Sequence, residues 1–137
     1  MPVPDFKTYC AILDRARAGH FALPAVNVTS LTTANAVLRG LAESKADGII
    51  QISTGGGAFA SGTSLKDSAL GAISIAEHVH RVADRYPIYV ALHTDHCLKD
   101  KLKRFELFDR FGAANFYPTI GTAVHAYLEE HAVHWKP

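Results

Sequence analysis

The chain has 137 residues, 48% of them hydrophobic and 20% charged, with 14 basic against 13 acidic side chains and a formal net charge of +1. That is the composition of an ordinary globular chain, long enough to bury about 70% of its unfolded surface, and it excludes the disordered, collagen-like and polybasic classes. It also argues against nucleic acid as a partner, because phosphate binding needs clustered Lys and Arg; the nearest cluster, Lys99, Lys101, Lys103 and Arg104, is bordered by Asp95, Asp100 and Glu106 and reads as a solvated helix face.

Asp5 to Ala18 reads as an opening helix, with Phe6, Tyr9, Cys10 and Leu13 at helical spacing and Gly19 at its end. Phe21 to Val28 reads as the first strand. Ser30 is a candidate N-cap for a helix in which Leu31, Ala34, Val37, Leu38 and Leu41 recur every three or four residues. Gly48 to Ser53 follows as a second strand suited to burial on both faces. A loop then leads to a long helix through Leu65, Ala69, Ala72, Ile73, Ala76, Val79 and Ala83, which ends near Tyr86 and Pro87. Ile88 to Leu92 is the third strand and runs directly into His93-Thr94-Asp95-His96. Lys99 to Phe111 reads as a further helix, Ala113 to Tyr117 as a weak strand, and Thr122 to His131 as a short helix. Short apolar strands alternating with amphipathic helices predict an α/β fold with a parallel sheet.

Two cysteines without paired spacing, Cys10 and Cys97, predict a reducing compartment. The N-terminal MPVPDFKTYC lacks the apolar run of a signal peptide, and no stretch approaches the length of a membrane span. The expectation is a cytoplasmic protein with no membrane partner.

Polar residues collect at the ends of the three strands: Asn27 at the first, Ser53 and Thr54 at the second, and His93, Asp95 and His96 at the third. In parallel α/β folds the carboxyl ends of strands carry the active site. Two imidazoles and a carboxylate within four residues supply a metal ligand and a neighbouring acid or base. Thr54-Gly55-Gly56-Gly57 reads equally as a backbone cradle for an anion or as a flexible loop. His78 and His80, two apart on a helix, read as structural or surface residues, and Cys97 as a small buried thiol in preference to a further soft ligand. His131 and His134 have a spacing compatible with a metal but no clear element around them.

Pro24-Ala25-Val26-Asn27, then Asp47 to Gly56, then Ala91-Leu92-His93-Thr94-Asp95-His96-Cys97 with Lys99-Asp100-Lys101 resemble, in motif, order and spacing, the N-terminal half of a class II, metal-dependent fructose-bisphosphate aldolase. The resemblance runs from about residue 5 to 103. It implies a (β/α)₈ TIM barrel that reversibly cleaves fructose 1,6-bisphosphate to dihydroxyacetone phosphate and glyceraldehyde 3-phosphate in glycolysis and gluconeogenesis; tagatose-bisphosphate cleavage is a sub-variant. It further implies Asp95 as the catalytic proton donor, His96 as a zinc ligand, Ser53 and Asn27 as substrate-binding residues, and His93 as an orienting residue beside the site. The alternative, aldol chemistry through a lysine Schiff base, finds no Lys at the three strand ends.

A catalytic zinc takes three protein ligands, and His96 supplies one. In the family the others, and the phosphate loops, come from the second half of the barrel, and nothing in Phe105 to Pro137 resembles those motifs. A barrel of this class takes about 250 residues. The expected organisation is therefore a partial barrel of about three parallel strands over 1–103, then a divergent tail over 104–137. Its unpaired strand edges predict self-association or a homo-oligomer. Two functional readings stay open: an aldolase, or a truncated non-catalytic remnant that at most binds metal or a partner chain.

Overall fold

The structure, a computed structural model, describes residues 3–98 together with Thr122, His125, Ala126 and Glu129. Two compact units are present, Met1–Cys97 and Leu98–Pro137. In the second, Thr122, His125, Ala126 and Glu129 are helical, and His125 Nδ1 stands 3.8 Å from Glu129 Oε1. The expected helix over 99–111, the weak strand over 113–117, and His131 and His134 lie outside the described residues.

The first unit alternates helix and strand in the order α1 (Phe6–Ala18), β1 (Ala25–Asn27), α2 (Leu31–Glu43), β2 (Gly48–Ser53), α3 (Thr54–Ala60), α4 (Ser68–Val82), a 3₁₀ turn (Ala83–Arg85) and β3 (Val90–Asp95). The sheet has the order β1-β2-β3, with both pairs parallel. Two parallel strand pairs joined by helical crossovers are the repeating unit of the β/α barrel, and three parallel strands are the number expected.

Each helix starts on a side-chain cap. Asp5 accepts from the Thr8 N–H at 2.8 Å, and Ser30 and Thr33 form a reciprocal capping box on α2. Asp67 accepts from the N–H groups of Ala69 and Leu70 at the head of α4. Helices α1 and α2 both end in a Schellman turn: Phe21 N–H reaches the Ala16 carbonyl and Ala46 N–H the Leu41 carbonyl. The left-handed residues that these turns require are His20 and Lys45, each with φ 53°.

Alternation along β2 divides the sheet into two faces. Gly48, Ile50 and Ile52 are buried, whereas Ile49, Gln51 and Ser53 are half-buried. Ile50, Ile52 and Val90 form one core with Ala34, Leu38 and Leu41 of α2 and Ile75 and Val79 of α4. Both crossover helices therefore cover the same face of the sheet. The opposite face carries Asn27, Gln51, Ser53, His93 and Asp95, none of them buried.

Three expectations change. The first strand spans three residues rather than Phe21 to Val28, because Phe21 is held in the Schellman turn and pairing with β2 begins only at the Pro24 carbonyl. The third starts at Val90 and runs through Asp95, so His93, Thr94 and Asp95 belong to the strand itself, with alternate side chains facing opposite ways. The segment read as a loop after Ser53 is helix α3. Ser53 caps it, and its glycines allow close helix contact: a Cβ on Gly57 would strike the Ser68 carbonyl, and one on Gly71 the Gly57 carbonyl. No described helix is long and apolar enough to cross a membrane.

Candidate active site

Parallel register aligns the strand ends. Asn27 lies beside Gln51, Gln51 beside His93, and Ser53 beside Asp95, so these five residues share the face that the crossover helices leave open. Asn27 Nδ2 donates to Asp95 Oδ2 at 3.2 Å across the width of the sheet. Gln51 Nε2 lies 3.0 Å from His93 Nδ1. Two amides from β1 and β2 thus each hold one functional group of β3.

Asp95 ends β3, and His96 follows it with φ 52°, a left-handed conformation uncommon for a residue with a side chain. That turn leaves the His96 imidazole largely in solvent, 86% exposed, with Nε2 3.7 Å from Asp95 Oδ2. Both contacts of the Asp95 carboxylate to described residues thus fall on Oδ2. Among the described residues no side chain bonds Oδ1.

Ser53 sits opposite Asp95, and its Oγ accepts the Gly56 N–H at 3.0 Å as the cap of α3. Among the described residues its hydroxyl proton has no acceptor. Cys97 is half-buried. His78 bonds Asn35 Oδ1 through Nε2 at 2.7 Å and ties α4 to α2, which favours the structural over the surface reading of this residue.

Sequence reasoning brought Asn27, Ser53, His93, Asp95 and His96 to one end of the sheet and overlooked Gln51. The signal was its place in the strand. Gln51 is the polar residue of the Ile49-Ile50-Gln51-Ile52 run and lies two before Ser53, so it shares that residue's face.

For a divalent metal, an imidazole beside a carboxylate is a suitable donor chemistry. Among the described residues, however, no three His, Cys, Asp or Glu side chains converge into a group able to hold one. His96 is thus a single candidate ligand whose companions would have to lie outside the described residues.

Residues 7–126 match the family described as Fructose-bisphosphate aldolase class-II. The match passes beyond residue 103, where the motifs legible in the sequence ended. The chain is 56% identical over 102 residues to the fructose-bisphosphate aldolase of Streptomyces galbus, covering 74% of this chain and 30% of that protein. With the Escherichia coli protein named fructose-bisphosphate aldolase class 2 it shares 46% identity over 93 residues, 64% of this chain and 26% of the relative. The crystal structure of fructose-bisphosphate aldolase from Campylobacter jejuni superimposes with a TM-score of 0.65 at 42% identity, covering 72% of this chain and 28% of the other. The chain spans about 30% of the length of the curated relatives it matches.

Proposed function

The chain belongs to the class II fructose-bisphosphate aldolase family, and from that premise we propose that its strand ends supply the proton-transfer corner of an enzyme that reversibly cleaves fructose 1,6-bisphosphate to dihydroxyacetone phosphate and glyceraldehyde 3-phosphate. The observation that carries this reading is the hydrogen bond from Asn27 to Asp95, which fixes a carboxylate at the carboxyl end of a parallel strand, on the open face of the sheet.

In the cleavage direction, Asp95 takes the proton from the hydroxyl on the aldehyde side of the breaking carbon–carbon bond. That oxygen becomes the aldehyde carbonyl, and the electron pair of the broken bond passes to the ketone half. In the condensation direction Asp95 returns the same proton. Asn27 holds Oδ2, so the exchange falls to Oδ1. The Ser53 hydroxyl donates a hydrogen bond to the glyceraldehyde 3-phosphate portion while its lone pair keeps α3 capped.

Zinc, the metal the family implies, would be held by His96 with donors outside the described residues, and when bound it acts as a Lewis acid on the charge that cleavage leaves on the ketone half. The proposed setting is the cytoplasm, with a sugar bisphosphate as partner and a second copy of the chain in a homo-oligomer.

The test is Asp95→Asn, which keeps shape and removes the proton acceptor. Triose phosphate release, followed by a coupled assay with the site's wall complete, is expected to fall about 10²- to 10⁴-fold. An unchanged rate overturns the assignment.

A further inference from the structure

The contact between Gln51 and His93 has a direction. An amide nitrogen is a donor only, so with Gln51 oriented as it stands, Nε2 at 3.0 Å from His93 Nδ1, the Nδ1 atom is the unprotonated, accepting nitrogen; the opposite amide orientation would pair with an Nδ1–H ring. In the neutral ring the proton then sits on Nε2, across the ring from Gln51. His93 lies two residues before Asp95 on the same face of β3, and its side chain is exposed. Its Nε2–H is therefore presented on the open face that carries the Asp95 carboxylate.

We propose that Gln51 is a positioning residue that locks His93 in the Nε2–H tautomer, so that β3 offers a fixed hydrogen-bond donor beside the proton-accepting Asp95, directed at an anionic or carbonyl oxygen of the sugar phosphate. The choice of substrate class rests on the aldolase reading; the tautomer does not. The arrangement separates two tasks along one strand: Asp95 exchanges a proton, and His93 donates a hydrogen bond to an oxygen. The partner on the neighbouring strand sets which ring nitrogen carries the hydrogen, as the outer partner of a ligating histidine does in metal sites. Register keeps the pair together, because Gln51 and His93 are direct parallel neighbours.

The test is nitrogen NMR of the full chain at pH 8, where an ordinary histidine is neutral, with the His93 ring assigned by loss of its signals in His93→Gln. The native chain is expected to show Nδ1 at the unprotonated position and Nε2 at the protonated one. Gln51→Glu is nearly isosteric and offers an acceptor in place of a donor, so it is expected to switch the proton to Nδ1. A native ring protonated on Nδ1, or a ring that keeps Nε2–H in Gln51→Glu, overturns the proposal. The native measurement needs no variant to fold, and neither requires turnover. A chimera of residues 3–98 in the Streptomyces galbus aldolase that folds but fails to cleave sugar bisphosphate, beside a native chain that shows the tautomer switch, refutes the aldolase reading and sustains this one.

Discussion

Asp95 is held by a residue 68 positions away in sequence, and that one bond links the first and third strands of the sheet. Asn27→Leu keeps the volume and removes the donor, so it is expected to lower turnover on the order of 10- to 100-fold, the range for partners that orient a reacting group, with little change in thermal stability because Asn27 is exposed. Asp5 carries a pH signature of its own. Hydrogen bonds from the Thr8 side chain and backbone hold its carboxyl below the ordinary aspartate range. Because its folded value is depressed, its contribution to α1 is present above the unfolded value and is lost as pH falls through the folded one. An NMR titration of the Asp5 carboxyl should give a midpoint below 3.8, the unperturbed value, and Thr8→Ala should raise it; a midpoint at or above 3.8 contradicts the cap.

At the scale of elements, left-handed residues and close glycine contacts decide the local outcome. Lys45 occupies the position after the α2 cap where glycine is the usual residue, at φ 53°. Relieving the left-handed penalty while loosening the unfolded chain leaves Lys45→Gly more stable by about 0.5–1 kcal/mol in urea unfolding. Gly71→Ala drives a Cβ into the Gly57 carbonyl and is expected to cost about 1–3 kcal/mol or to prevent folding. That contact also explains what the sequence concealed. A Thr-Gly-Gly-Gly run has poor helix propensity, so α3 forms on tertiary grounds, through the Ser53 cap and the fit of Gly57 against α4. Where local and tertiary preferences agree the reading was direct: Gly48–Ser53 has the same bounds in sequence and structure, as its Ile-rich pattern matches the buried face of β2. Of the site, the strand-end residues were legible from their position. Gln51 was not, because a lone amide inside an apolar run acquires meaning only once register puts it beside His93.

At a larger scale, within the first unit, the two crossover helices on one face of the sheet and the polar row on the other describe an arc of barrel wall seen from inside. Among the described residues β1 and β3 each have one unpaired edge, and such edges associate. Sedimentation of the 137-residue chain is expected to show species larger than a monomer; a monodisperse monomer with one cooperative thermal transition would contradict this. The central claim, that this arc carries the proton-transfer corner of a class II aldolase, is tested most directly by building residues 3–98 into the Streptomyces galbus aldolase in place of its matching segment and measuring fructose 1,6-bisphosphate cleavage in the presence of zinc. The account predicts an active chimera whose rate falls about 10²- to 10⁴-fold on Asp95→Asn. A folded chimera without activity, or one indifferent to Asp95→Asn, would contradict it.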